Sequence, residues 1–380
     1  MLIHGFMGWG PDEMGNYNYW GGKSDYVNML KNEGFDVLEV SVGPISSNWE
    51  RAIEVYYQLK GGQVDYGRDH SEKYGIIQKP KSKFYQYPLY EKWDENNPVH
   101  LIGHSMGSQT ARMLLYLLSS SFNEIQIKNI SGQSSLLTKT SSTMIRSITS
   151  ISGPNNGTTL AGIVTKTIPF IQYFVGIAGL VGSNRFFDFD LEQWGLYRFD
   201  NERWPSYLNR LRKHQAFKTK NISSWDLSLA GAKELNGILL ADPEVYYFSL
   251  VTSTTKKKTN SNNHFPSKET SIITKSRAKL LGSRPGYWGD GSSTDSTWFE
   301  NDGVVNSISM FGPKTGVNGS DPIIKFDTDD ILIPGQWYWQ KIDDMDHWNI
   351  IGHLCNERRK KLSQGFFLDH AQVLKSLPPF

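Results

Sequence analysis

Val99-His100-Leu101-Ile102-Gly103-His104-Ser105-Met106-Gly107 is the stretch on which the fold turns. Val99 to Ile102 is a short apolar run with Asn97-Pro98 before it and Gly103 after it, the pattern of a strand buried on both faces. Gln109 to Leu118 then carries a dense apolar pattern of helical type. Between the two, Gly103-His104-Ser105-Met106-Gly107 fits G-x-S-x-G. Small residues flanking the serine allow a strained strand-to-helix turn that pushes its hydroxyl out of the sheet. The five-residue pattern is weak by itself, and its place between a strand and a helix is what gives it weight. That place puts the Ser105 hydroxyl at the carboxyl edge of a sheet and the positive end of a helix dipole, where an oxyanion is favoured.

Working outward, Ser147 to Ser152 reads as the next strand, closed by the turn chemistry of Gly153-Pro154-Asn155-Asn156-Gly157, which completes a βαβ unit around Ser105. Strand signals return at Val245 to Leu250 and at Gln336 to Trp339. With no internal repeat, the alternation of strand and helix predicts an α/β fold built on a mostly parallel sheet. From about Leu160 to Leu235 the chain turns helical and aromatic and reads as a cap inserted above the sheet. Lys256 to Thr274, rich in Lys, Asn, Ser and Thr, reads as a mobile polar loop.

The 380 residues are expected to form one catalytic body with insertions, residues 1–380, and not two independent halves. Apolar residues make up 38% of the chain and aromatic ones 13%, enough for a sizeable core and against wholesale disorder. Forty Lys plus Arg against 38 Asp plus Glu leave a formal charge of +2, too little field to hold nucleic acid. The lone Cys355 excludes an internal disulfide and reads as a small buried residue. The most apolar segment, Ile163 to Val181, contains Lys166 and Pro169 and is short for a membrane span, so it reads as a flap over an apolar pocket or a buried helix. No signal peptide is visible, and the chain opens inside its first strand as though trimmed.

A serine hydroxyl needs a histidine to take its proton and a carboxylate to fix that histidine's tautomer. Of nine histidines, His4, His70, His100 and His104 precede or abut the elbow, and His214 and His264 fall in the cap and the polar loop. His347, His353 and His370 remain, and His347 is favoured because Asp343-Asp344-Met345-Asp346-His347 leaves a strand edge. For the acid, the turn Asn301-Asp302-Gly303 leads into apolar residues and can present Asp302 at the same edge, with Asp327, Asp329 and Asp330 as alternatives. The tetrahedral intermediate needs two backbone N–H donors. Met106, next after the serine, supplies one, and Phe6 in the loop His4-Gly5-Phe6-Met7-Gly8 is the predicted second, its ring lining the acyl pocket.

The chain resembles the thermoalkalophilic and staphylococcal bacterial lipases over nearly its whole length. The resemblance rests on His4-Gly5-Phe6, Tyr19-Trp20-Gly21-Gly22, Gly43 to Trp49, Gly61 to Gly67, the serine pentapeptide, Gln193 to Leu196, Asp226-Leu227-Ser228, Glu300 to Gly303 and Asp346-His347. It implies an α/β-hydrolase fold, helices on both faces of the sheet, a helical lid for which Ile163 to Val181 is the candidate, and a small extra zinc subdomain. It implies a secreted lipase or carboxylesterase acting on lipid esters at an oil–water interface, with Ser105, His347 and Asp302 as its triad. An inactive relative that binds lipid or a partner, or another acyl hydrolase, are the competing readings.

The resemblance also implies metals. For zinc, Glu50, His70 and Asp226 stand at three ligand positions, but Ile76 replaces the second histidine, which leaves the set one short. For calcium, Asn349 stands where a carboxylate is needed and Leu354-Cys355 replaces an Asp-Pro pair, so no calcium is expected. No cofactor is expected to take part in catalysis.

Overall fold

The computed structural model describes residues 1–11, 13–119, 140–162, 190–195, 199, 201–213, 219–314, 322–328 and 331–378. In chain order its strands are β1 (Leu2–Ile3), β2 (Glu39–Val40), β3 (Gly62–Gln63), β4 (Phe84–Tyr85), β5 (Val99–His104) and β6 (Ile145–Ile151), followed by β7 (Tyr246–Ser253), β8 (Thr255–Lys257), β9 (His264–Pro266), β10 (Ile323–Lys325) and β11 (Trp337–Asp343). Seven of them make the central sheet in the order β10-β11-β7-β6-β5-β1-β2, and every pairing is parallel.

Neighbouring residues on each central strand face opposite layers, because the side-chain period of a strand is two. Ile3, Leu101, Tyr247 and Trp337 pack on one side with Ile53 of helix α2 (Asn48–Lys60) and Leu114 of helix α4 (Met106–Leu118); α1 (Tyr26–Asn32) and α3 (Arg68–Tyr74) complete the first four helices. Leu2, Ile102, Tyr246 and Tyr338 pack on the other side with Tyr26 and Leu30 of α1 and with Phe367 and Leu374 of the C-terminal helix Glu357–Ser376. Burial on both faces explains why these strands read as continuous apolar runs.

After β1 the chain steps outward to β2, then returns to lay β5 on the other side of β1. The order of the sheet reverses between β1 and β5, and a crevice opens beyond the carboxyl ends of strands at such a switch point. The loop that starts at His4 and the turn that holds Ser105 leave β1 and β5 at that place.

The described residues of the stretch expected as a cap include the helical segments Glu192–Trp194, Trp204–Lys213, Ser223–Asp226 and Leu229–Asn236. The flap Ile163 to Val181 lies outside the described residues. Lys256 to Thr274, expected as a polar loop, instead contributes the antiparallel hairpin β8–β9 and the first turn of the helix Ile272–Leu281. Its polarity hid specific pairing: Lys256 Nζ bonds Asp344 at 2.9 Å, and the Thr254 and Thr270 hydroxyls meet at 2.9 Å. Among the described residues no helix is long and apolar enough to cross a membrane.

Among the described residues His4, His100, His104 and His370 are stored uncharged. Desolvation holds His4 and His370 down to about 3 and His100 to about 4, and it holds His104 well below the usual imidazole range. Unfolded, each takes a proton near pH 6.5. Between those limits the unfolded chain binds more protons, so stability is lost as pH falls from about 6.5 toward 4, by about 1.4 kcal/mol per pH unit for each extra proton. The urea midpoint is expected to fall across that interval. His370→Gln, away from the crevice where Nε2 meets Thr149 Oγ1 at 2.7 Å, is expected to make the fall shallower. Identical slopes for the two proteins would contradict this account.

Candidate active site

Ser105 sits between β5 and α4 at φ 55° and ψ −127°, a conformation that costs a residue with a Cβ of order 1–3 kcal/mol and is held by its surroundings. A Cβ on Gly103 would drive into the backbone of Gly107, and one on Gly107 into the carbonyl of Ile3. The two glycines of the pentapeptide therefore let β5, the turn and β1 approach one another. Gly5 is equally confined, since a Cβ there would lie 2.7 Å from the Ser105 Cβ. The Ser105 N–H is tied to the Ile151 carbonyl at 2.8 Å, and the residue is 6% exposed.

His347 reaches the same edge on the turn after β11. Its Nδ1 meets Asp302 Oδ2 at 2.8 Å, and its N–H donates to the Asp302 carbonyl at 3.1 Å. Asp302 is fully buried and fully occupied: Oδ1 accepts from the N–H groups of Val304 (2.9 Å) and Val305 (2.8 Å), while Oδ2 also accepts from Thr252 Oγ1 at 2.9 Å. Because a carboxylate only accepts, Nδ1 carries the proton and Nε2 is left with a lone pair. The His347 ring lies 4.6 Å, centroid to centroid, from the ring of His104, next to the serine. Among the described residues the Ser105 hydroxyl itself makes no hydrogen bond to His347; such bonds commonly close only when substrate binds.

The sequence-derived alternatives are placed elsewhere. His353 donates from Nε2 to the Tyr19 carbonyl at 2.7 Å, and its Nδ1 accepts from the Tyr17 hydroxyl at 3.1 Å. Asp327 is exposed on the stretch after β10, and Asp329 and Asp330 lie outside the described residues. Cys355 is half-buried, donates its thiol to the Asn349 carbonyl at 3.2 Å, and is pushed up to about 11 by burial. Phe6 is partly buried against the core and Met106 opens α4, whose first-turn N–H groups have no partner inside the helix.

Two buttresses were not legible in the sequence. Thr252, at the end of β7, donates to Asp302, and its hydroxyl meets that of Ser152 at 2.7 Å. Asp346 holds the histidine turn through both oxygens: Oδ1 accepts from the N–H groups of Trp348 and Asn349, and Oδ2 from Ser271 N and Thr274 Oγ1 at 3.0 Å each. Thr252 belongs to no motif and Asp346 is marked only as the neighbour of His347; the meeting of β7, the helix Ile272–Leu281 and the β11 turn gives each its task.

The residues considered for zinc do not fit that ion. Glu50 Oε1 is taken by His70 Nε2 at 2.7 Å and Asn221 Nδ2 at 2.6 Å, and Oε2 by the Ser47 N–H at 2.9 Å. Asp226 Oδ2 accepts from the Asn48 N–H at 2.7 Å, and burial raises this acid to about 7. Ile76 is buried and offers no donor, and among the described residues no three His, Cys, Asp or Glu side chains converge as a metal requires. The calcium position does not fit either, because Asn349 Oδ1 accepts from the Arg359 guanidinium at 3.3 Å and its amide donates to the His353 carbonyl at 3.0 Å. Purified protein is expected to contain well under one zinc per chain, and dialysis against a chelator to leave its thermal midpoint unmoved. His70→Ala, which strips Glu50 of a buried donor, is expected to cost about 1–3 kcal/mol. A stoichiometric zinc lost in that variant would overturn this assignment.

With this geometry in place, the comparison with known proteins is direct. The family described as Lipase-like, C-terminal domain matches residues 1–374. The chain belongs to this family. Within it, Lipase 1 of Staphylococcus aureus (strain MRSA252) is 35% identical over 341 residues, covering 86% of this chain and 47% of that protein. The chain thus spans about half the length of the curated relatives it matches, 47% in this case. The structure of EstA from Clostridium botulinum is similar at a TM-score of 0.86 and 35% identity, covering 100% of this chain and 87% of that one. That of Lipase 1 from Pelosinus fermentans gives 0.83 and 34%, covering 99% and 98%. The α/β-hydrolase architecture that the family resemblance implied agrees with these lipase neighbours and with the parallel sheet described above.

Proposed function

We propose that this chain is a serine hydrolase that cleaves the carboxylic esters of lipids, triacylglycerols or similar, through an acyl-enzyme on Ser105. The observation that carries the reading is the buried His347–Asp302 pair at 2.8 Å beside a serine held in a strained turn. Asp302 keeps the proton on Nδ1, so Nε2 accepts the Ser105 proton as the serine oxygen attacks the ester carbonyl. The N–H groups of Met106 and Phe6 receive the oxyanion. Collapse breaks the carbonyl–alkoxide bond, His347 returns its proton to the leaving alcohol, and water repeats the sequence on the acyl-serine. No ion or cofactor takes part in these steps.

The lipase relatives support a lipid ester as the substrate. We extend the reading to an oil–water interface and to a secreted enzyme, as the family resemblance implies. The test compares hydrolysis of nitrophenyl esters and emulsified triglyceride by wild type and Ser105→Ala. Equal rates would refute the serine mechanism, and activity on nitrophenyl esters without activity on triglyceride would refute the lipid assignment.

A further inference from the structure

Gly5 lies between two peptide planes, one gripped at both its carbonyl and its N–H and the other gripped twice at its carbonyl. The His4–Gly5 plane gives its carbonyl to the Arg51 guanidinium and its N–H to the Tyr19 hydroxyl, the latter at 2.8 Å. The Gly5–Phe6 plane gives its carbonyl to His4 Nδ1 at 2.9 Å and to the Gly8 N–H at 3.1 Å. A trans peptide holds its N–H opposite its carbonyl, so fixing the Gly5 carbonyl fixes the direction of the Phe6 N–H. That group is one of the two proposed for the oxyanion.

The Tyr19 hydroxyl does more than accept from Gly5. It also meets His104 Nδ1 at 2.6 Å, and His104 Nε2 meets the His347 carbonyl at 3.0 Å. A carbonyl only accepts, so Nε2 carries the His104 proton; burial keeps that ring neutral, which leaves Nδ1 as an acceptor. The donors then run one way, from the Gly5 N–H to the Tyr19 oxygen, from the Tyr19 O–H to His104 Nδ1, and from His104 Nε2–H to the His347 carbonyl. Tyr19 and His104 are 1% and 0% exposed, and each link between them and their partners is a direct hydrogen bond.

We propose, resting on the serine mechanism above, that Tyr19 and His104 are positioning residues that set the oxyanion loop, the serine turn and the histidine turn in one register through these three hydrogen bonds. The three segments come from β1, β5 and β11, strands that do not all adjoin, and at their carboxyl ends the sheet supplies no ladder between them. Neither side chain is assigned contact with substrate. Their work is to keep Ser105, the Phe6 N–H and His347 in mutual reach, where an error of about 1 Å can cost on the order of a hundredfold in rate.

The test is Tyr19→Phe, which keeps the ring and deletes the hydroxyl, assayed on a nitrophenyl ester with active sites counted by complete reaction with an alkyl phosphonate. The expected result is a loss of about 10- to 100-fold in kcat per titrated site, with KM within about threefold of wild type. A residue that only supported folding would lower the number of titratable sites and leave kcat per site unchanged. His104→Leu is expected to lose a similar factor, and the double variant about as much as the worse single one, because all three break one chain. Wild-type kcat per site in Tyr19→Phe, or multiplying losses in the double variant, would overturn the relay while Ser105→Ala remained inactive. An active, unlabelled Ser105→Ala would instead overturn the serine mechanism and the relay with it.

Discussion

Ser105→Ala is expected to lower kcat on a nitrophenyl ester by about a millionfold, to the residual rate that binding and the oxyanion donors sustain. The lone cysteine cannot substitute for the serine. Cys355 is half-buried with its thiol committed to the Asn349 carbonyl, and burial pushes it up to about 11, so at neutral pH it is a protonated thiol. The substitution removes one oxygen from a residue that is 6% exposed and whose backbone is held by the Ile151 carbonyl. The thermal midpoint should therefore stay close to wild type, and the lost rate can be read as lost chemistry. A variant retaining more than about a hundredth of wild-type kcat would place the reaction on another residue.

Asp302→Asn carries the second-largest expected effect, about ten-thousandfold in kcat, and this structure states the reason. Oδ1 of Asp302 accepts from two backbone N–H groups, those of Val304 and Val305. An asparagine must keep its oxygen there, since its amide nitrogen cannot face two donors. Its NH2 then turns toward His347 Nδ1 and donates. The imidazole is forced to carry its proton on Nε2, where it cannot accept from Ser105. The fold should tolerate the change, because Thr252 can accept from the new amide while directing its own hydrogen to Ser152, 2.7 Å away. Activity within tenfold of wild type would show that His347 takes its orientation from something other than Asp302.

Both effects fall on residues that the amino-acid sequence singles out. The strand–turn–helix around Ser105 is legible because its signals are local: an apolar run, two glycines that sterics demand, and a helical apolar pattern within twenty residues. Asp302 and His347 emerge by elimination and from the turns that carry them. The polar stretch from Lys256 to Thr274 reads as a loop and folds as a hairpin, because that hairpin is stabilised by particular partners, such as Asp344 beyond the end of another strand, and these leave no periodic trace. The metal question has the same character. Family resemblance groups Glu50, His70 and Asp226 as ligands, and packing shows that Asn221, Ser47 and Asn48 already satisfy the two carboxylates.

What the sequence determined by itself was the class of sheet and the strand–turn–helix that presents Ser105, since both depend on short-range sterics and on the period of burial along a strand. The tertiary structure alone decided that the His347 carbonyl, the Gly5 N–H and the Asp302 carboxylate would be held by His104, Tyr19 and Thr252. Those three bonds span 243, 14 and 50 positions of chain. A hydrogen bond has a direction and a reach of about 3 Å, and no residue spacing encodes which distant groups will come within it once parallel strands are laid side by side.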